Sequence, residues 1–191
     1  MTTVVVPFRS RGKSRLPADI RVEVALAMLG DVLEAAVTQA NQVRLVTDDA
    51  AAVALAAALE AEVIPDPGRG QGAAVAAALA GVDGGCLVVN ADLPCVTPEA
   101  LARLAANAPG HVAAPDGTTN ALALPDAGWF APLYGTGSAA RFAAAGLGAI
   151  ALPELEQDVD TVSDLEALSF PVGRRTALVL NQHKLTLART A

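Results

Sequence analysis

The sequence predicts an α/β fold with a mainly parallel central sheet. Short β-branched runs alternate with alanine-rich segments of helical periodicity, the pattern of strand–helix–strand units with right-handed crossovers. The apolar runs are continuous, as in strands buried on both faces. Hydrophobic residues make up 53% of the chain and aromatic residues only 3%, so the core must consist of Ala, Val and Leu. One composition throughout 191 residues predicts a single domain, 1–191.

The first half of the chain contains four predicted strand–helix pairs. Asp48-Asp49 and Thr97-Pro98 have the residue types of helix starts, an N-cap and proline in the first turn. Strands are expected at 4–6, 43–47 and 63–64 and from 85 towards Asp92, and helices at 19–39, from the Asp48-Asp49 cap to about 60, from the end of the loop 65–72 to about 80, and at 98–106.

The second half is less regular. A Thr161 cap and a terminating Gly146 indicate helix boundaries. Strands are expected at 112–115, 120–124 and 149–152, helices at 138–145 and 162–168, a last helix at 174–180, and a loose tail over 181–191.

Charge and composition exclude several function classes. A net charge of −7 argues against a general nucleic-acid surface and against an anionic membrane partner. No apolar stretch reaches the roughly 18 to 20 residues that span a bilayer. Cys86 and Cys95 lack the spacing of metal ligands, so a reduced cytoplasmic protein is expected. The oligomeric state stays open.

Asp92 is the first candidate functional residue. It ends an apolar run that Pro94 then breaks, which predicts a carboxylate at the carboxyl end of a central strand, where α/β sheets bind ligands. An aspartate there can hold Mg²⁺, and Mg²⁺ holds phosphate. The alternative is that Asp92 only caps the loop that leads to Thr97.

Two glycine-containing loops are candidates for nucleotide binding. The loop 7–16 is basic, and its amides with Lys13 and Arg15 could cradle a triphosphate, although its glycine spacing matches neither common phosphate-binding motif. The loop from Asp66 to Gly72 contains three glycines, which permit close approach of a base or phosphate. The alternative for the first loop is a solvated basic turn, and for the second a plain glycine turn.

Loops of small residues at 116–120, 134–138 and 158–161 form the last group. Hydroxyls and amides from Gly135 to Ser138 suit a small phosphorylated or carboxylated acceptor, although a turn and two N-caps would use the same residue types. Asp158 and Asp160 lie two apart, so on an extended segment both carboxylates point the same way. One of them could share a metal with Asp92.

In chain order these segments resemble the guanylyltransferases that activate 2-phospho-L-lactate or phosphoenolpyruvate in the biosynthesis of the deazaflavin coenzyme F-420. The resemblance spans roughly residues 4 to 168 and rests on Val6-Pro7 with Gly12-Lys13-Ser14-Arg15-Leu16, Val46-Thr47-Asp48-Asp49, Asp66-Pro67-Gly68, Ala91-Asp92-Leu93-Pro94, Gly117-Thr118-Thr119-Asn120-Ala121-Leu122, Gly135-Thr136-Gly137-Ser138 and Asp158-Val159-Asp160-Thr161. It implies a three-layer Rossmann-like nucleotidyltransferase fold, related to the molybdenum-cofactor guanylyltransferases. The chain departs from the family pattern at Gly72, where asparagine is usual, and Asn90 is an unexpected polar residue in its strand.

The resemblance also implies roles for particular residues. Each role is assigned by position in the motifs: Thr119, Gly135 and Ser138 bind the acceptor; Pro7, Lys13, Asp66 and Gly68 bind the nucleotide; Asp92 and, with it, Asp160 hold Mg²⁺; Lys13 and Arg15 balance the charge of the leaving pyrophosphate.

The implied reaction transfers GMP from GTP to a phosphorylated three-carbon acid. The attacking phosphate is already an anion and requires no side-chain base, so His111 and His183 are expected to be structural or solvated. The alanine-rich composition fits a bacterial source, for which the resemblance implies phosphoenolpyruvate as the acceptor over 2-phospho-L-lactate. Two alternatives remain: a nucleotidyltransferase with another acceptor, such as molybdopterin or a sugar phosphate, and a non-catalytic nucleotide-binding module.

Overall fold

A computed structural model describes residues 2–9 and 15–183 of the protein. Seven strands form one sheet in the order β3-β2-β1-β4-β6-β5-β7. They are β1 (Thr2–Pro7), β2 (Gln42–Val46), β3 (Glu62–Ile64), β4 (Gly85–Val89), β5 (Gly110–Ala113), β6 (Thr119–Leu124) and β7 (Gly148–Ala149). Strand β6 pairs antiparallel with β4 and β5, whereas the other pairs are parallel. The predicted mainly parallel α/β fold is confirmed.

Helices cover both faces of the sheet. They are α1 (Arg21–Gln39), α2 (Ala50–Ala58), α3 (Gln71–Leu79), α4 (Pro98–Ala106), α5 (Ser138–Ala144), α6 (Pro153–Glu156), α7 (Val162–Ala167) and α8 (Arg174–Gln182), with a short 3₁₀ helix at Ala127–Trp129. The N-caps predicted at Asp49, Thr97 and Thr161 are confirmed, since each side chain accepts hydrogen bonds from the first turn of its helix.

The alternating side chains of β1 show how the sheet packs between two layers of helices. Val4 and Val6 point to one face and pack with residues of α1, α2 and α4. Val5 points to the opposite face and packs with residues of α3 and α5. All three valines are fully buried. Alanines such as Ala56 and Ala78 supply the helix surfaces here, which explains how a core almost free of aromatic residues is filled.

Several boundaries differ from the sequence-based expectations, and the strand expected at 112–115 lies at Gly110–Ala113. Strand β4 ends at Val89, so Asp92 lies in the following loop instead of on the strand itself. The strand expected at 149–152 has only two residues, because Pro153 starts the unpredicted helix α6. Helix α8 extends to Gln182, so the predicted tail 181–191 is wrong for its first two residues; residues 184–191 lie outside the described chain. Within the described ranges no helix has the length and apolar character to cross a membrane.

Candidate active site

Two neighbouring cavities open at the carboxyl ends of β1, β3 and β4. The first is lined by residues at the ends of these strands, by residues of α1 and α3 and by the segment before α7, and its acidic residues are Asp66, Asp92 and Asp160. The second lies between the start of α3 and the segment from β6 to α5. Gln71 and Asn90 line both cavities, so the two spaces share one wall. This edge is where the strand order of an α/β sheet leaves a crevice for ligands.

Asp92 and Asp160 both line the first cavity although they are far apart in sequence. The amide of Val159 donates to the carbonyl oxygen of Asp92 at 3.0 Å, which fastens the segment before α7 to the loop after β4. The amide of Asp160 donates to Oδ2 of Asp164 at 2.9 Å, and Asp164 belongs to the capping box of α7. Hydrogen bonds to Asp92 and to Asp164 therefore hold the backbone that leads into Asp160.

The donor set of this cavity fits Mg²⁺. The described ranges, 2–9 and 15–183, contain no cluster of three or more His, Cys, Asp or Glu side chains that could hold a metal. Mg²⁺ needs no such cluster, because it commonly takes one or two carboxylates and fills its remaining positions with water and substrate phosphate oxygens. Two aspartates with neither histidine nor thiolate beside them suit this hard cation better than zinc.

Asp158 does not share the position of Asp160. Its Oδ1 accepts a hydrogen bond of 3.3 Å from the side-chain amide of Asn120, and it is not among the residues that line the first cavity. Burial raises the pKa of Asp158, the bond from Asn120 opposes this, and the charges of Asp160 and Asp116 raise it further. Of the two acids, Asp160 is therefore the one that lines the first cavity together with Asp92.

An ion pair closes another side of the first cavity. Nη2 of Arg9 lies 2.7 Å from Oδ1 of Asp66, and Nε of Arg9 contacts Oδ2 in a bidentate arrangement. The hydrogen bond from Arg9 lowers the pKa of Asp66, against the opposing effect of burial. Oδ1 also accepts from the amide of Gly68 at 2.8 Å, and a φ of +71° explains the glycine there. From the sequence, Arg9 is only one residue of the basic loop 7–16, and its pairing with Asp66 was not predicted.

The other predicted nucleotide-binding residues have separate positions. Pro7 lines the first cavity. Lys13 lies outside the described residues. Arg15 is exposed and its amide donates to the carbonyl oxygen of Asp160 at 2.7 Å, but neither Arg15 nor Gly68 is among the lining residues of the two cavities.

The second cavity brings together the three predicted acceptor residues. Thr119, Gly135 and Ser138 all line it. The hydroxyl groups of Thr119 and Ser138 lie 2.9 Å apart, and both residues are almost fully buried. Gly135 has a φ of +109°, a conformation that L side chains rarely adopt. The cavity thus combines hydroxyl groups with a glycine loop in one place.

The two unexpected residues of the sequence, Asn90 and Gly72, both lie at this site. Asn90 follows β4, and its side-chain amide donates to the carbonyl oxygen of Thr119 at 3.2 Å. A Cβ atom at Gly72 would lie 2.7 Å from Cβ of Pro132, which belongs to the opposite wall of the second cavity. This chain therefore requires glycine at position 72 for the approach of Pro132.

Both histidines have structural contacts away from the cavities. His111 is buried, with Nδ1 at 3.1 Å from the carbonyl oxygen of Leu147. His183 contacts Glu23 at 2.8 Å and joins the end of α8 to α1. Cys86 and Cys95 are free thiols buried in the protein. None of these four side chains lines either cavity.

Comparison with known proteins places these features in a family. The model of the MobA-like NTP transferase domain matches residues 19–155. A phosphoenolpyruvate guanylyltransferase from Nocardia farcinica is 40% identical over 193 residues, which cover 90% of this chain and 84% of the relative. The protein of the same name from Streptomyces avermitilis is 40% identical over 92% of both chains.

Solved structures share the fold at low sequence identity. A protein from Desulfovibrio desulfuricans G20 assigned to the nucleotide-diphospho-sugar transferases has a TM-score of 0.69, with 14% identity over 96% of both chains. A nucleotidyl transferase from Methanothermobacter has a TM-score of 0.62, with 18% identity over 86% of this chain and 94% of its own.

Proposed function

The chain belongs to the MobA-like NTP transferase family and, within it, to the phosphoenolpyruvate guanylyltransferases, and on this premise we propose that it transfers GMP from GTP to phosphoenolpyruvate. The observation that carries the proposal is the shared wall of the two cavities. A nucleotide in the cavity with the acidic pair and an acid in the cavity with the hydroxyl groups would meet at that wall.

The reaction is a displacement at the α-phosphorus of GTP. A phosphate oxygen of the acceptor forms the new P–O bond, and the bond from the α-phosphorus to the bridging oxygen of the β-phosphate breaks. The electron pair leaves with pyrophosphate, and the product is a diphosphate that joins guanosine to the acid. Since the nucleophile is an anion at neutral pH, positioning and charge neutralisation suffice. The side chains that line the cavities agree with this, because no histidine is among them.

The first cavity supplies charge neutralisation. Asp92 and Asp160 would hold Mg²⁺, which when bound withdraws charge from the α-phosphate oxygens. Lys13 and Arg15 are proposed to balance the charge of the leaving pyrophosphate. Pro7 and the loop from Asp66 to Gly68 would enclose the nucleotide, with the bidentate pair between Arg9 and Asp66 holding that loop in place.

The second cavity would orient the acceptor. The hydroxyl groups of Thr119 and Ser138, together with the main chain of Gly135, are proposed to bind its carboxylate and phosphate groups. Phosphoenolpyruvate and 2-phospho-L-lactate carry the same charges and differ in the double bond at C2. The name of the bacterial relatives favours phosphoenolpyruvate, and the product would enter the biosynthesis of coenzyme F-420.

The decisive experiment follows pyrophosphate release from purified protein with GTP and Mg²⁺. Phosphoenolpyruvate and 2-phospho-L-lactate are supplied separately and then in competition, and mass spectrometry identifies the guanosine diphosphate ester. ATP and CTP in place of GTP test the choice of nucleotide. A sugar phosphate or molybdopterin that releases pyrophosphate faster than either acid would replace the proposed acceptor with another one.

Asp92→Ala distinguishes an enzyme from a nucleotide-binding module. We expect loss of turnover with an unchanged circular dichroism spectrum, whereas Asp83→Ala, at an exposed loop position, keeps full activity. GTP binding by the wild-type protein without pyrophosphate release from any phosphorylated acid would favour the non-catalytic alternative. Normal turnover in Asp92→Ala would remove Asp92 from the site.

A further inference from the structure

The loop between β6 and α5, residues 133–137, is held from one side by the guanidinium group of Arg141. Nε and Nη2 both donate to the carbonyl oxygen of Leu133, at 3.0 and 2.9 Å. Nη2 also donates to the carbonyl of Tyr134 at 3.2 Å, and Nη1 donates to that of Thr136 at 2.7 Å. A single side chain therefore binds three main-chain carbonyls of one loop.

These contacts decide which way the peptide groups of the loop face. In a trans peptide the C=O and N–H bonds point in opposite directions. With the carbonyls of Tyr134 and Thr136 turned towards the guanidinium, the amides of Gly135 and Gly137 face away from it. The carbonyl of Gly135 accepts from the amide of Ser138 at 2.9 Å, so it too is used within the protein. The carbonyls of Leu133, Tyr134 and Thr136 thus lie on the side of Arg141, and the amides of Gly135 and Gly137 face the opposite side.

The backbone conformation of the loop depends on its two glycines. Gly135 and Gly137 have φ values of +109° and +71°, and a Cβ atom at either would lie within 4 Å of the guanidinium. Tyr134, Gly135 and Ser138 line the second cavity, whereas Arg141 does not. Any effect of Arg141 on the cavity must therefore act through the loop.

Arginine is the side chain that this geometry requires. Its planar fork places several N–H groups at fixed angles, so that it can reach three carbonyls at once. Lysine has the same charge on a single nitrogen and cannot reproduce the fork. The negative ends of these peptide dipoles, the carbonyl oxygens, point at the guanidinium cation. The positive ends, the N–H groups, therefore lie on the opposite side of the loop, where they suit an anionic acceptor.

We propose that Arg141 is a positioning residue for the acceptor, which orients Gly135 and Ser138 without contacting the substrate. The proposal rests on the proposed function, because it assigns the second cavity to the phosphorylated acid. It predicts that loss of the guanidinium weakens acceptor binding selectively, since the cavity that would hold the nucleotide contains no residue of this loop.

The test compares Arg141→Ala and Arg141→Lys with Arg103→Ala. Arg103 is an exposed arginine of α4 that contacts Glu154 at 2.6 Å, and it serves as the matched control. We expect the KM for phosphoenolpyruvate to rise roughly tenfold or more in Arg141→Ala, with the KM for GTP within about twofold of wild type. The KM of Arg141→Lys for phosphoenolpyruvate should lie between those of wild type and Arg141→Ala. Free guanidine at non-denaturing concentration should lower the raised KM of Arg141→Ala and leave Arg103→Ala unchanged.

Different results would contradict the proposed function and the role of Arg141. If wild-type protein releases no pyrophosphate with either acid, the proposed function fails before any variant is compared. If the wild type is active and Arg141→Ala keeps its KM for the acid, the inference is overturned. Equal increases in both KM values, with a lower thermal unfolding midpoint and no guanidine rescue, would also overturn it, because they indicate a general structural role. Should Arg141→Ala not fold, the KM values of Arg141→Lys decide in the same way.

Discussion

The side-chain amide of Gln71 donates a hydrogen bond of 2.7 Å to Oδ1 of Asn90 and joins the first turn of α3 to the end of β4. Because Nδ2 of Asn90 donates to the carbonyl of Thr119, the orientation of the Asn90 amide is determined at both ends. Both side chains belong to the wall that the two cavities share. A neutral amide at this wall allows two anionic substrates to approach each other without the repulsion that a carboxylate would add.

Asn90→Ala is expected to lower kcat roughly tenfold or more, because it removes both bonds of the shared wall and loosens the relative position of the two substrates. The measurement is steady-state pyrophosphate release with each substrate varied in turn. Asn107→Ala removes a side-chain bond to the carbonyl of Arg103 at the exposed end of α4 and should leave kcat unchanged. A kcat of Asn90→Ala equal to that of wild type would show that the wall does not control alignment.

Local sequence patterns predicted most elements of the fold but only part of the site. The carboxylate of Asp92 was expected near a strand end because an apolar run and a proline enclose it. The pairing of Arg9 with Asp66 joins residues 57 positions apart, and no local pattern encodes such a contact. The choice of Asp160 over Asp158 as the partner of Asp92 came only from the family resemblance, since the bond from Val159 to Asp92 depends on how α7 folds back.

The sequence pattern also did not predict the order of the strands in the sheet. The sequence pattern predicts a strand at 120–124, yet its antiparallel insertion between β4 and β5 depends on tertiary pairing. That insertion is what places Thr119 beside Asn90, where its carbonyl accepts the side-chain bond. The role of Asn90 therefore became visible only once the neighbours of β4 were known.

Asp160→Asn and Asp158→Asn should have unequal effects on the requirement for Mg²⁺. Asp160 lines the first cavity with Asp92, whereas Asp158 is bonded to Asn120. We expect Asp160→Asn to raise the Mg²⁺ concentration for half-maximal activity roughly tenfold or more, and Asp158→Asn to change it by less than about threefold. The measurement is a Mg²⁺ titration after removal of metal with a chelator. Full activity of the wild type in the presence of the chelator would contradict both expectations.

The ion pair between Arg9 and Asp66 should be detectable as a lowered pKa of Asp66. The pKa of Asp66 is lowered from its ordinary value of 3.8, chiefly by the hydrogen bond from Arg9. The unfolded chain therefore binds the proton more tightly than the folded one, so the stabilisation is present above about pH 4 and is lost as the pH falls through the folded pKa. Arg9→Ala should raise the pKa of Asp66, measured by carboxyl-detected NMR.

The same substitution should lower the free energy of unfolding only modestly at neutral pH, because the Arg9 side chain is 45% exposed and solvent screens the pair. Wild type and Arg9→Ala should approach equal stability in acid. Asp66→Asn is the matched variant and should remove the same pH dependence. An unchanged titration of Asp66 in Arg9→Ala would mean that the bidentate contact does not persist in solution.

Asp31→Ala should destabilise the protein without changing the KM values for the substrates, because Asp31 connects α8 to α1. The carboxylate is 5% exposed and accepts the amides of Arg175 and Thr176, both at 2.9 Å, in the first turn of α8. Removing it deprives the buried amide of Thr176 and the partly buried amide of Arg175 of their acceptor, so the free energy of unfolding should fall by about 2–4 kcal/mol, measured by urea denaturation. The exposed Asp83→Ala should change it by less than about 0.5 kcal/mol. If Asp31→Ala matched that control, the docking of α8 would depend on its apolar contacts alone.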